Sequence, residues 1–164
     1  MSMRCERSTS RAGPVADPGF GGPVILDNSA WSRLLGGRVP AAVARRWEQA
    51  LARDEVLVCD PFRMEALYSA RDAKDYMSLS EELDALRQVP CDRVVWQTAQ
   101  SAQRALASDR RVSHRIKPVD LLLAAAAHHR GVGVLHYDHD FDILAKHAGL
   151  TFDSRWLAKR GTLT

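Results

Sequence analysis

Short apolar runs alternate with longer amphipathic stretches along this chain, and this alternation constrains its fold most strongly. The runs with strand character are Val24 to Leu26, Glu55 to Cys59 and Val132 to Tyr137, and Leu150 to Phe152 is expected to add an edge strand. Segments with apolar residues at helical spacing lie between them. Strands that alternate with helices predict an α/β fold, with a parallel sheet covered by helices on both faces.

The predicted helices begin and end at residues that commonly start or stop helices. Asp60-Pro61 is a strong start, with Asp60 as the cap and Pro61 in the first turn. Pro118 starts the most apolar helix, which Gly131 ends. Pro90 separates two amphipathic helices, predicted at residues 74 to 88 and 92 to 108.

Length and composition indicate one ordinary globular domain, predicted at residues 24 to 164, after a disordered N-terminal tail at residues 1 to 23. The net charge of +3 permits a nucleic-acid partner without requiring one. The three cysteines form no C-x-x-C pair, which argues against a zinc site or disulfide framework and favours a cytoplasmic setting. The longest apolar run, Leu121 to Ala127, is too short for a membrane span.

Several acids stand where the carboxyl edge of such a sheet is expected. Asp27 and Asp138 each follow an apolar run, Asp120 lies in the first turn of the Pro118 helix, and Asp140 follows two residues after Asp138. Glu65 lies in a largely apolar stretch, where an unpaired carboxylate is unusual. Each acid also has an ordinary explanation, as a helix cap, a first-turn acid or a rim residue, and the pattern alone leaves both explanations open.

Carboxylates gathered at one place suit a hard divalent cation such as Mg²⁺, which takes oxygen ligands. Such an ion can lower the pKa of a bound water for attack on a phosphate. The set of acids therefore predicts a metal-dependent phosphodiesterase site. His139 is the histidine best placed for contacting a substrate. A basic connector, residues 110 to 117, could follow nucleic-acid phosphates or simply be a solvated loop, and its charged candidates are Arg110, Arg111, Arg115 and Lys117.

Four motifs contain these acids. They are Leu-Asp-Asn-Ser-Ala-Trp at 26 to 31, Arg-Met-Glu-Ala-Leu-Tyr-Ser-Ala-Arg at 63 to 71, Lys-Pro-Val-Asp-Leu-Leu-Leu at 117 to 123 and Leu-His-Tyr-Asp-His-Asp-Phe at 135 to 141. Together they resemble the PIN-domain family, and within it the VapC toxins of toxin–antitoxin pairs. The resemblance covers roughly residues 24 to 152. Two departures are Asn28, where threonine is common, and His136, where threonine or serine often stands.

The resemblance implies a three-layer α/β/α fold and a Mg²⁺- or Mn²⁺-dependent endoribonuclease that cuts structured RNA, tRNA or rRNA, and so inhibits translation. It implies a cognate VapB-type antitoxin and a homodimer as partners. It also implies the site residues: Asp27, Glu65, Asp120 and Asp138 as metal-holding catalytic acids, with Asp140 and Ser29 as accessory residues.

Two other functions remain compatible with the residues. One is a PIN-like module that binds RNA or a protein without cutting. The other is a different metal-dependent phosphoryl-transfer enzyme, such as a DNA nuclease or a phosphatase. Intact acids at all four positions favour an active nuclease over the silent module.

Overall fold

The computed structural model describes residues 19–163, which form a central sheet with helices packed on it. The strands are β1 (Val24–Leu26), β2 (Val56–Cys59), β3 (Arg87–Val89), β4 (Gly133–His136) and β5 (Asp153–Trp156). The helices are α1 (Asn28–Leu35), α2 (Ala41–Ala52), α3 (Asp60–Tyr68), α4 (Ala73–Asp84), α5 (Arg93–Ser108), α6 (Pro118–Arg130) and α7 (Asp140–His147).

The five strands are all parallel and lie in the order β3-β2-β1-β4-β5. The chain builds outward from β1 through β2 to β3 and then returns to the other side of β1 with β4. The direction of winding therefore reverses between β1 and β4. In open parallel sheets, the crevice beyond the carboxyl ends of the strands at such a point is the usual ligand site. The predicted α/β fold with a parallel sheet is confirmed.

Helix α6 explains why Asp120 is held at that crevice. Residues 121–127 of this helix are all buried, because leucines and alanines on every side pack against neighbouring helices and the sheet. A helix so enclosed has little freedom to rotate or slide. Its first turn therefore fixes Asp120, whose side chain is buried. Gly131, at φ 63°, ends the helix in a left-handed conformation that glycine adopts without strain.

Three local predictions are corrected. The helix expected at residues 74 to 88 ends at Asp84, and β3 follows as an edge strand parallel to β2. Only Val89 of this strand is buried, so its sequence lacks the apolar run that marks inner strands. The edge strand expected at 150 to 152 lies at Asp153–Trp156 instead. Asp60 is the first residue of α3, and no side chain caps that helix.

Two residues before β1 pack against the rest of the structure. Phe20 is 2% exposed, and the Arg46 guanidinium lies 4.4 Å from the centre of its ring. Arg46 Nε also donates to the Gly19 carbonyl at 2.8 Å. The predicted tail at residues 1 to 23 includes these two residues, although both contact α2 through Arg46. Residues 1–18 lie outside the described part. Within residues 19–163, no helix is long and apolar enough to cross a membrane.

Candidate active site

Asp27 and Ser29 join the ends of the two strands that flank the crevice. The Asp27 carboxylate caps α1, with Oδ2 accepting from the Ser29 backbone N–H at 2.8 Å and from the Ser29 hydroxyl. The Ser29 hydroxyl oxygen in turn accepts from the Tyr137 backbone N–H, just past β4, at 2.8 Å. Burial raises the pKa of Asp27 although hydrogen bonds from Ser29 act in the opposite direction. Asp27 is thus both a helix cap and a buried acid at the predicted site.

Three further acids form a close group, the acidic triad of Asp120, Asp138 and Asp140. One carboxylate oxygen from each lies within 4.8 Å of the others. Asp120 is 3% exposed, and its Oδ2 has no hydrogen-bond partner within residues 19–163. Burial, reinforced by the negative charge of Asp27, raises the pKa of Asp120 to about 8. Burial and then the charge of Asp138 raise the pKa of Asp140.

Glu65 and Asp27 adjoin the triad without belonging to it. Burial raises the pKa of the half-buried Glu65, and the negative charge of Asp27 adds to that rise. Lys117, the residue just before α6, acts in the opposite direction on the pKa of Glu65 and of Asp120. The four predicted acids therefore influence one another electrostatically, with Asp120 and Asp138 in the tightest group.

The donor set fits a hard divalent cation. Its oxygens are carboxylates, which Mg²⁺ and Mn²⁺ prefer, and they come from separate elements that meet at the crevice. The unpartnered Oδ2 of Asp120 would otherwise be a buried polar atom without compensation, which is costly. A bound cation would supply both the missing partner and the charge that balances neighbouring carboxylates.

His136 is a residue of this region for which the sequence alone predicts no role. Within residues 19–163, the buried polar or charged side chains are Asp27, Asp120 and His136. Burial lowers the pKa of His136 to about 4, so its ring is neutral at neutral pH. A signal was present in the sequence, since a histidine interrupts the apolar run of β4 two residues before Asp138.

The basic connector is held at its start by contacts with Asp109. The Arg111 guanidinium makes a 2.8 Å ion pair with Asp109, and His147 Nδ1 lies 3.0 Å from the same carboxylate. Hydrogen bonds from Arg111, with a smaller contribution from His147, lower the pKa of Asp109. Arg110 and Arg115 are exposed and form no ion pair within the described part of the chain. Arg111 is therefore the least available of the candidate RNA-binding arginines.

His139, the histidine predicted to contact a substrate, is exposed, and its Nδ1 lies 3.2 Å from Asp142 Oδ2.

An apolar groove of about 530 Å³ opens beside Glu65, with α3, α5 and α6 as its walls. Met64 and Tyr68, on its rim, are 77% and 91% exposed. The acidic site thus adjoins a surface that could accept apolar side chains from another molecule.

Comparison with known proteins places the chain in a family. The PIN domain model matches residues 24–147, a span that includes every acid of the site. This chain belongs to the PIN-domain family. Within that family it is similar to ribonuclease VapC18 of Mycobacterium tuberculosis, with 40% identity over 139 residues that cover 84% of this chain and 97% of the relative. Ribonuclease VapC51 of the same species is 33% identical over 140 residues, covering 85% and 96%.

Solved structures support the PIN fold of this VapC relative. DNA-bound VapBC from Salmonella typhimurium matches with a TM-score of 0.62 at 14% identity, covering 83% of this chain and 99% of that one. FitAcB from Neisseria gonorrhoeae matches with a TM-score of 0.57 at 19% identity, covering 80% and 96%. The resemblance to the VapC branch of the PIN family predicted from the sequence is confirmed.

Proposed function

We propose that this protein is a Mg²⁺- or Mn²⁺-dependent endoribonuclease and the toxin of a toxin–antitoxin pair. The observation that supports this most directly is that Asp120, which has a buried carboxylate oxygen without a partner among the described residues, forms a close acidic group with Asp138 and Asp140 at the crevice of the sheet. The similarity to proteins named as VapC ribonucleases supports RNA as the substrate.

Each acid has a role in this proposal. Asp27, Glu65, Asp120 and Asp138 are the metal-holding catalytic acids, with Asp120 and Asp138 in the closest group, and Asp140 is accessory. Ser29 keeps the Asp27 carboxylate and the turn after β4 in fixed relation. A divalent ion in such a site supplies an activated water and neutralises charge on the phosphate. Lys117 reduces the negative potential that an approaching RNA phosphate meets, and Arg110 and Arg115 offer further phosphate contacts.

The biological role follows from the same proposal. We expect the substrate to be a structured RNA, tRNA or rRNA, whose cleavage stops translation in the cytoplasm. We further expect a cognate VapB-type antitoxin to silence the protein and the chain to form a homodimer. Several of the similar solved structures are of VapBC, including the one from Salmonella typhimurium, which supports the antitoxin as a partner.

The test compares the wild type with Asp27→Asn, which keeps the size of the side chain but removes its charge. Expression of the wild type should arrest growth, and the purified protein should cut RNA only when Mg²⁺ or Mn²⁺ is present, whereas Asp27→Asn should do neither. Asp153→Asn is the matched control, because Asp153 lies on the surface at the opposite, amino end of β5. It should behave as the wild type.

Three results would contradict the proposal. Equal toxicity of the wild type and Asp27→Asn would exclude the metal-site mechanism. RNA binding without cleavage under any divalent ion would favour the silent module. Metal-dependent cutting of DNA in preference to RNA would assign the site to another phosphodiesterase.

A further inference from the structure

His136 lies at the end of β4, where both nitrogens of its ring are engaged. Nδ1 accepts from the backbone N–H of Asp138 at 3.2 Å, and Nε2 lies 2.7 Å from the Ser154 hydroxyl on β5. Since Nδ1 is the acceptor, the ring hydrogen of the neutral tautomer is on Nε2 and points to Ser154. The Ser154 hydroxyl then donates to Asp142 Oδ1 at 2.6 Å. The hydrogen bonds thus run in one direction, from Asp138 to Asp142.

Aromatic packing fixes the plane of the same ring. The ring centre of His136 lies 4.8 Å from that of Phe141 and 5.0 Å from that of Trp156. The Trp156 indole N–H also donates to the Asp142 carboxylate at 3.2 Å. The ring is completely buried, so water cannot replace its partners. Such a network holds one rotamer and one tautomer.

The turn after β4 is closed from two sides. His136 Nδ1 accepts a hydrogen bond from the backbone N–H of Asp138. Asp138 Oδ1 accepts one from the backbone N–H of Asp140 at 3.0 Å. Two of the three carboxylates in the acidic triad therefore depend on a turn whose first hydrogen bond ends on His136. A change at Nδ1 would alter the direction of both carboxylates without touching either.

We infer that His136 is a positioning residue: fixed by Ser154 and Asp142, its Nδ1 sets the turn that aims Asp138 and Asp140 into the acidic triad. This inference rests on the proposed function, in which the triad holds a divalent ion. Replacing a residue that orients a metal ligand commonly weakens the binding of the metal. Asp142, which lies outside the triad, has its role here as the end of the hydrogen-bond chain.

The test uses Mn²⁺ as the probe and measures its dissociation constant by electron paramagnetic resonance of the free ion. His136→Asn retains an oxygen acceptor at the position of Nδ1 but loses the contact with Ser154. His136→Gln reaches towards Ser154 but has no acceptor at the Nδ1 position. Both variants lose the aromatic packing, so a purely structural role would affect them equally.

We expect His136→Gln to weaken Mn²⁺ binding about tenfold and His136→Asn to stay within about threefold of the wild type. Thermal unfolding, measured in parallel, should show similar destabilisation of both. Equal Mn²⁺ affinity in the two variants, whether retained or lost, would overturn the positioning role. Failure of the wild type to bind Mn²⁺ would instead overturn the proposed function.

Ser154→Ala provides a second test if the histidine variants do not fold. It removes the hydroxyl that holds Nε2 and leaves the His136 ring and its packing in place. We expect its Mn²⁺ affinity to lie between those of the wild type and His136→Gln, together with a shifted amide resonance for Asp138. An unchanged affinity and an unchanged resonance would overturn the inference.

Discussion

Asp120 is the residue whose surroundings are least favourable without a cation. Its carboxylate is buried beside other acids, and Oδ2 finds no partner within residues 19–163. Burial, with the charge of Asp27 next, raises its pKa from an ordinary 3.8 to about 8. The folded metal-free protein therefore holds a proton on Asp120 that the unfolded chain has already released at neutral pH.

This shift predicts a pH dependence of stability. Because the folded state binds one more proton between the two pKa values, the free energy of unfolding of the metal-free protein falls as the pH rises through that range. Asp120→Asn removes this contribution. We expect denaturant titrations from about pH 5 to about pH 8 to show a steeper loss for the wild type than for Asp120→Asn.

Added Mg²⁺ serves as the internal control for that measurement. An ion that binds only the folded state should stabilise the wild type and favour the ionised carboxylate, so the difference in slope should shrink. If the free energy of unfolding of the two metal-free proteins fell equally with pH, the pKa of Asp120 would not be raised in the folded state.

Ser29 gives a second prediction at the scale of one residue. Its hydroxyl links Asp27 after β1 to the Tyr137 backbone after β4, and Ser29→Ala leaves that N–H without its acceptor. We expect Ser29→Ala to lower the free energy of unfolding by about 1–3 kcal/mol. Ser32→Ala, at an exposed position on the same helix, is the matched control and should change it little. Similar small effects from both would deny Ser29 its bridging role.

Among the elements, the ends of strands and the starts of helices bring the acids together. Asp27 and Asp138 follow β1 and β4, and Asp120 lies in the first turn of α6. Parallel strands place their carboxyl ends at one edge, so acids distant in sequence meet there. The basic connector leads directly into α6 and ends at Lys117, beside the same acids.

The connector predicts a ranking among its arginines. Arg115 is exposed without an ion pair in the described residues, whereas Arg111 is held by Asp109. We expect Arg115→Ala to reduce the salt dependence of RNA affinity by about one phosphate contact and Arg111→Ala to reduce it less. Filter binding over a salt series measures both. Equal effects, or an affinity insensitive to salt, would remove the connector from the RNA-binding surface.

At the scale of the whole molecule, the parallel sheet and most elements could be predicted because apolar runs and proline or glycine boundaries are local signals. The edge strand β3 could not be predicted, because Arg87 and Gln88 are exposed and give no apolar run. The strand is defined by its pairing with β2. Asp120 and Asp138 were predicted to meet, which requires only topology. The role of His136 depends on Ser154 and Asp142, which come close only in the folded chain.

The boundary of the domain gives a prediction at this scale. Phe20 is buried in the core, so we expect the folded domain to begin before β1. A chain that starts at Gly19 should be more stable by about 3 kcal/mol than one that starts at Val24, because the latter loses a buried aromatic side chain. Urea denaturation of the two chains measures this difference. Equal stability of the two chains would show that residues 19–23 do not belong to the folded domain.

The location of a bound divalent ion is the sharpest test of a metal site at the acidic triad. Crystals soaked with Mn²⁺ and measured at a wavelength with strong manganese anomalous scattering would reveal the ion without reference to activity. We predict an anomalous peak at the acidic triad, next to the carboxylates of Asp120 and Asp138. The same soak of Asp120→Asn crystals should weaken or abolish the peak. A manganese ion bound elsewhere, with the triad empty in the wild type, would contradict a metal site at the triad.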